Sequence, residues 1–472
     1  MPVVVGTKRE VKKIQSSRGK IIMKNNIAGI NESITEKIYE AYIYGLPLVV
    51  LELHTKALTN TVEPNEKKAP LNQFLHGRDV ATARDREVVH PNIDTVYSKA
   101  HLNLKKEPLY IHKPAAERYV MAEIIDAWGN CIDIVGSGGI GGNGESEAVL
   151  VGPDYQGEIP EELPVIHIPT NASWILARVL KNGNDENEIK EIQQQLYLKP
   201  LSEYRNSQYV PPKGTYNPEY DFIPYDKFAE LEIEEFFNIF NSAIGDNLGR
   251  KPDVKLLKEV EQYGIGEGKT FSLNIFESDV ATALKNFYQR AVADMTNIYG
   301  SEKEFKGTDV FEKNWRFTRP EVDVIANFKW NYLVRAKVAW GGFGALPATV
   351  AIYPKAGRDD NGDVLTGKNK YIVHFESEPP VDEFWSLTVY GADQFLIDNE
   401  LDKNGINDRS DLKKAEDGSF DLYLQKDRPE EDKIKNWLPV GDDEFELVLR
   451  TYYAKNEFID GVWKMPSIIK VS

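Results

Sequence analysis

From Gly341 to Ser472 no apolar repeat of helical spacing is sustained, whereas short β-type runs follow one another at Thr349–Tyr353, Tyr371–Phe375, Phe384–Tyr390, Phe420–Leu424, Phe445–Tyr452 and Ser467–Val471. Phe445, Leu447 and Leu449 alternate with Glu446 and Arg450, and Phe420, Leu422 and Leu424 with Asp421 and Tyr423. Successive side chains leave a strand on opposite faces, so each run offers one face to a core and the other to water or a partner. Asp360-Asn361-Gly362-Asp363 and Glu416-Asp417-Gly418-Ser419 supply residues that accept the positive φ of hairpin turns. These patterns predict a jelly-roll-like β domain over residues 341–472, built around the run Phe384–Tyr390. In that run Trp385, Leu387 and Val389 read as core. Phe384, Ser386, Thr388 and Tyr390 form a solvated face, an interface with another domain, or a platform on which Tyr390 stacks against a ring-shaped ligand.

Between residues 69 and 200 similar short runs are divided by Gly, Pro, Asn and Asp: Thr95–Ala100, Leu109–His112, Tyr119–Ile125, Cys131–Val135, Ala148–Val151, Val165–Ile168 and Trp174–Val179. This even punctuation predicts an N-terminal β-sandwich rather than alternating βαβ units. Residues 31–68 begin with the capping-box spacing Ser33-Ile34-Thr35-Glu36, followed by Ile34, Ile38, Ala41 and Tyr42 on one helical face; Gly45 and Pro47 interrupt it, and Leu48-Val49-Val50-Leu51 continues either after a kink or as a buried turn of helix. Residues 201–340 form a helical, connecting region: Ile233, Phe236, Phe237 and Phe240 repeat at helical spacing, and so do Leu284, Phe287, Tyr288, Ala291, Val292, Met295, Ile298 and Tyr299. The expected fold is mainly β with an α-helical portion: two β-sandwich or jelly-roll-like domains plus amphipathic helices.

A chain of 472 residues suits two or three domains. Its charge of −17 argues against a nucleic-acid partner, which needs a basic face. Met1–Ile22 runs against the trend with six Lys/Arg and one Glu, a net +5 that leaves −22 on the rest. Residues 1–30 are read as a leader or disordered tail. No run reaches the ~18–20 apolar residues of a transmembrane helix, and no signal-peptide apolar region is present. Localisation is cytoplasmic by default, or exported if a leader was replaced. The single cysteine, Cys131, excludes an internal disulfide and lies in an apolar run, as a structural thiol does.

Gly136-Ser137-Gly138-Gly139-Ile140-Gly141 has the dinucleotide-binding spacing, but Gly142-Asn143-Gly144 follows instead of the helix that would receive a pyrophosphate. A glycine-rich hairpin or loop is expected there. Glu400 to Asp411 imitates a calcium loop without its leading Asp, its final Glu or flanking helices, and reads as an acidic surface loop. The densest polar chemistry lies in Arg84–Tyr97. His90 and Asp94 are candidate general bases, Arg84 and Arg86 would orient an anionic substrate, and Asn92, Tyr97 and Tyr390 would contact a ligand. His90, Asp94 and His101 could also offer nitrogen and oxygen to one metal, although no compact metal motif sets their spacing. The plainer alternative has Asn92 and Asp94 satisfying turn amides while Tyr97 packs.

The ordered set Asn92-Ile93-Asp94-Thr95-Val96-Tyr97-Ser98, Arg118-Tyr119, Val151-Gly152-Pro153 and Arg178 resembles the domain of unknown function 1254. Gly362–Gly367, Pro379-Pro380, Phe384–Tyr390, Asp417-Gly418-Ser419, Asn436-Trp437-Leu438-Pro439, Arg450-Thr451-Tyr452, Trp463 and Pro466 resemble the domain of unknown function 1214. The resemblance implies a β-sandwich-like domain followed by a jelly-roll-like one, with helices around them. It names no reaction and no cofactor. The functional expectations are therefore a homo-oligomer binding a carbohydrate-like or other small polar ligand, a hydrolase or lyase with an Asp/His base near residues 90–97, or a capsid-like assembly protein.

Overall fold

A computed structural model describes residues 8–86, 89–249, 253–297, 309–318, 332–342 and 344–471, with backbone alone at residues 8–30, 297, 309–311 and 318. Two sandwiches and a helical layer account for the chain. In the N-terminal sandwich a six-stranded sheet faces a four-stranded one. Alternate residues of both sheets, among them Leu102, Ile111, Ala122, Ile124, Val135, Leu150 and Ile175, fill the space between them. The strand Thr95–Asn103 pairs along its length with Ala172–Leu180, which in turn pairs with Val120–Asp126.

The C-terminal sandwich repeats the arrangement with a seven-stranded and a four-stranded sheet. Trp385–Gly391 is central in the larger sheet, paired antiparallel with Phe445–Tyr452 on one side and Gly405–Asn407 on the other. Trp385, Leu387 and Val389 enter the inter-sheet core, as their alternation predicts. This sheet also extends outside the expected boundary. Asp309–Glu312 and Trp315–Thr318, within the span expected to be helical and connecting, form a hairpin that pairs with Lys355 at the sheet edge. Trp315 and Phe317 supply its inward residues, a pattern too short to stand out beside the long helical repeats.

The long helix Lys8–Leu58 organises the third layer. Its described backbone includes residues 8–30, expected as a leader or tail, and past Gly45 and Pro47 it continues as the buried turn of helix at Leu48–Leu51 that is one of the two continuations the sequence allows. A helix-interior proline costs about 3 kcal/mol. Leu46, Leu48, Val49 and Val50 beside it are fully buried among Phe236, Phe237 and Phe240, and each apolar side chain contributes about 1.5–3 kcal/mol, so burial outweighs the lost bond. The repeat beginning at Leu284 divides into helices Ser278–Leu284 and Phe287–Asn297. Ile298 and Tyr299 of that repeat lie outside the described residues. Trp128 and Trp174 join the helical core from the first sandwich.

The two sandwiches meet through side chains. Tyr119, Met121, Ile134 and Leu180 of the first form one cluster with Leu346, Val350, Ala351, Phe384 and Tyr452 of the second region. Phe384 stacks on Tyr452 with ring centres 4.1 Å apart and meets Tyr119 edge-on at 5.3 Å. Of the three readings for the second face of the run Phe384–Tyr390, the geometry matches the domain interface. The glycine-rich turn belongs to the same seam: the Tyr453 hydroxyl donates to Ser137 O at 3.1 Å, while within the first sandwich Lys113 Nζ donates to the carbonyls of Gly142 and Gly144 at 3.1 and 2.9 Å. Gly138, at φ 76°, lies so close to Tyr453 that a Cβ would fall 1.8 Å from its ring.

Candidate functional site

The segment leading into Thr95–Asn103 passes over the outer face of the large C-terminal sheet, where Ser386, Thr388 and Tyr390 lie opposite Arg450, Val448 and Glu446. The Asn92 side chain caps its own turn, accepting the Asp94 amide at 2.7 Å, and donates to the Tyr452 hydroxyl at 3.0 Å. Asp94 is 1% exposed. Its carboxylate accepts from Ser386 Oγ at 2.5 Å and from Arg409 Nη2 at 3.2 Å. Asp94 therefore ties the domains together.

His90 occupies different surroundings. Its φ of 51° is left-handed, an uncommon and strained state for a residue with a Cβ. Two long-range bonds hold the backbone there: His90 N–H donates to Gln394 O at 2.8 Å, and Arg450 Nη2 donates to His90 O at 3.1 Å. The imidazole Nε2 bonds the Glu446 carboxylate, and Lys355 Nζ lies 3.5 Å from both ring nitrogens. Because the ammonium is equidistant from the two, it sits beside the ring rather than in line with one lone pair. Tyr390 packs edge-on with ring centres 5.1 Å apart. The His90 side chain is 16% exposed and that of Glu446 26%, so the pair is accessible from solvent.

Burial lowers the His90 pKa below the ordinary histidine value, against the opposing effect of the Glu446 hydrogen bond. Burial pushes Glu446 up, but the His90 bond and the charges of His90 and Lys355 hold it below the usual carboxylate range. Burial also lowers Lys355; Glu446 opposes this, while Arg450 and Arg316 add to it. These directions favour a neutral imidazole beside an ionised Glu446 carboxylate, with the Lys355 amine held below its usual range. With Glu446 taking the Nε2 proton, the Nδ1 lone pair is the basic position.

The other sequence candidates have separate places. No hydrogen bond joins His90 to Asp94. His101 is on the far side, its Nδ1 3.0 Å from Thr55 Oγ1 of the long helix, so the three groups considered for a metal are not brought together. Arg86 pairs with Asp393 at 2.5 Å and covers the Phe395 ring, and Arg84 is exposed. Tyr97 is partly buried beside Arg178, which pairs with Glu123 at 2.8 Å. Tyr390 is completely buried; its hydroxyl donates to Pro91 O at 2.7 Å and accepts from Arg450 Nη2 at 2.6 Å. The stacking platform expected of it is thereby corrected to a seam contact.

Glu446, Lys355 and Arg450 were not singled out from the sequence. The available signal was the charge of Glu446 and Arg450 on the outward positions of the run Phe445–Tyr452, which ordinary solvation explains equally well; Lys355 follows the run Thr349–Tyr353 and carries no pattern of its own. A cavity of 10 Å³ lies elsewhere, lined by Pro47, Trp128, Trp174 and Gly344 among others, and is at the lower limit for a single water.

No curated protein matches the chain. Among solved structures it is similar to the VPA0106 protein from Vibrio parahaemolyticus, at 21% identity and a TM-score of 0.66 over 94% of this chain and all of that one, a likeness of fold. An uncharacterized protein from Burkholderia cenocepacia aligns at 11% identity and a TM-score of 0.43 over 95% of this chain and 96% of that one. The family described as protein of unknown function DUF1254 matches residues 71–200, and that described as protein of unknown function DUF1214 matches residues 350–456. The chain thus carries, one in each sandwich, the two domains of unknown function 1254 and 1214, and belongs with the proteins that pair them in this order.

Proposed function

We propose that the seam at His90 is an acid–base catalytic site of the hydrolase or lyase type. The observation that supports this reading is the imidazole held in a strained backbone between Glu446 and Lys355 while still reachable from solvent. His90 Nδ1 takes a proton from a bound water or from a substrate carbon or hydroxyl. Glu446 fixes the opposite tautomer and offsets the imidazolium that forms. Lys355 places positive charge where the substrate becomes negative, which lowers the barrier when the charge is met by a fixed group rather than reorganising water. Arg450 and Gln394 position the His90 backbone and touch no reacting atom.

The test uses a small-molecule cell extract incubated with the wild-type protein and with His90→Gln, followed by mass spectrometry of the consumed compounds. At least one compound is expected to be depleted by the wild type and depleted about 100-fold more slowly by the variant, the usual contribution of a positioned base. Equal consumption by the two proteins, or none by either, overturns the reading.

Recognition of a polar ligand without turnover is the second reading. It draws on Tyr97, whose ring lies partly buried against the Arg178 guanidinium and offers an apolar edge beside polar groups. A ligand that co-purifies and survives unchanged on the wild-type protein would favour it.

A further inference from the structure

Where the two large sheets face each other across the seam, a guanidinium is buried with one edge unspent. Arg178 leaves the outer face of the strand Ala172–Leu180, directly opposite Tyr97 on one neighbouring strand and Met121 on the other. It is 5% exposed. Among the described residues its hydrogen bonds all come from Nη1: to Glu123 Oε2 at 2.8 Å, and at longer range to Leu176 O at 3.4 Å and Met121 Sδ at 3.6 Å. Nε and Nη2 form an edge that matches the two oxygens of a carboxylate, and among the described residues they donate to nothing. The Tyr97 ring centre lies 5.6 Å from the guanidinium carbon.

Phenol hydroxyls surround the same guanidinium: Tyr97, Tyr119 and Tyr353 all act on its charge. The hydroxyl of Tyr119, a residue 1% exposed, has no hydrogen-bond partner. From the second sandwich Tyr452 meets Tyr119 edge-on with ring centres 5.6 Å apart, and Tyr353 at 6.2 Å. Tyr97 and Tyr353 are partly exposed, which gives a small molecule a way in. Donors therefore outnumber acceptors here; the acceptor left over is Glu123 Oε1, beside which the Cys131 thiol lies. Buried donors without acceptors are costly, so the arrangement calls for an acceptor from outside. Charge leans the same way. Arg450 acts on Tyr353 and Tyr452 from behind, and its own bonds go to the neutral oxygens of Thr388, Tyr390 and His90. Asp94, which also acts on Arg450, is bonded to Ser386 and Arg409. Of these two guanidinium groups, Arg178 alone is bonded to a carboxylate among the described residues.

We propose that Arg178, Tyr97, Tyr119 and Tyr353 bind a small monocarboxylate in the seam, its two oxygens facing Nε and Nη2 of Arg178. This rests on the recognition reading drawn from Tyr97 and narrows it to one chemistry; it does not depend on the acid–base reading of His90. The phenols donate to the same carboxylate, and their rings pack on the apolar remainder of the molecule. One negative charge matches the surplus left by Arg178, Arg450 and Glu123. Because Arg178 belongs to the first sandwich and Tyr353 to the second, the bound carboxylate bridges the two.

Propanoate and benzoate, each titrated into the full chain at pH 7 and constant ionic strength beside propanamide and benzamide, test the proposal by calorimetry. Saturable binding of at least one carboxylate is expected, with the matching amide about tenfold or more weaker, the scale of one charge-assisted hydrogen bond. Tyr97→Phe and Tyr353→Phe keep the rings and lose the hydroxyls, and each should weaken carboxylate binding about threefold or more. Replacing the pair together, Glu123→Gln with Arg178→Gln, strands neither charge and should abolish binding; if that protein fails to fold, the two tyrosine variants carry the test. Absence of saturable binding of both carboxylates to the wild type, or unchanged affinity in both tyrosine variants, would overturn the proposal. An amide bound as tightly as its acid would overturn the carboxylate chemistry and leave the recognition reading standing on its own test, a ligand that co-purifies.

Discussion

At the residue scale, His90 is useful because three effects of different sign meet on it. Burial favours the neutral ring, the Glu446 bond favours the charged one, and Lys355 disfavours it again. The sum lies below the ordinary value, so the base is in its working form at neutral pH. If His90 is the proposed base, activity should be lost only as pH falls through a value below the ordinary histidine range. It should fall again at alkaline pH as Lys355, depressed below the usual lysine range, loses its proton. Glu446→Gln sharpens the test. Removing the carboxylate removes the hydrogen bond and charge that raise the His90 pKa, so the acid limb of kcat/KM should move to lower pH while the maximum decreases; a lower maximum with an unmoved limb would show that Glu446 has only a structural part. The sequence pointed to His90, Asn92, Asp94 and Tyr97 because turn chemistry and titratable groups coincide there. It could not separate the roles of His90 and Asp94, since these depend on partners 356 and 292 residues away.

At the element scale, legibility followed length and period. The alternating runs of Phe420–Gln425 and Phe445–Tyr452 and the apolar stripe of Ile233–Ile244 carried their own signatures. The hairpin Asp309–Thr318 did not, because four-residue strands give alternation little room. Gly45 and Pro47 leave the course of the helix open for a different reason: what packs against it decides between a kink and a continuous buried turn, and local propensity does not contain that. An added Cβ at Gly45 would come within 2.8 Å of Phe240 Cδ2, and that ring is completely buried. Gly45→Ala thus sets a propensity gain of about 1 kcal/mol against an overpacking cost of about 1–3 kcal/mol. A net loss of stability is expected in urea denaturation. A stabilised variant would mean that Phe240 moves easily and that the helix is less closely held than its burial indicates.

At the scale of the whole molecule, the question is whether two sandwiches with separate cores behave as one body. Contacts within a chain between domains commonly permit relative motion unless they are large and apolar. Here the seam joins Phe384, Tyr119 and Tyr452 in direct ring contact, and it adds the buried Asp94 bonds to Ser386 and Arg409. His90 comes from the first half of the chain and Glu446 and Lys355 from the second, so the proposed catalytic arrangement exists only while the domains are docked. A single calorimetric unfolding transition is therefore expected for the wild type. Phe384 and Leu387 lie on opposite faces at the start of the same β run, one in the seam and one in the inter-sheet core. Phe384→Ala should cost about 3–5 kcal/mol and Leu387→Ala about 2–5 kcal/mol. The losses should differ in kind. Leu387→Ala weakens the C-terminal sandwich while leaving the coupling, so the transition moves down as one. Phe384→Ala weakens the coupling itself, so the transition should broaden or divide, and activity should fall together with the loss of docking. If Phe384→Ala instead shifts a single sharp transition as Leu387→Ala does, the aromatic contact is not what joins the domains, and the positioning of His90 against Glu446 must rest on the hydrogen bonds across the seam, those of Asp94, Asn92, Tyr390, Arg450 and the His90 amide.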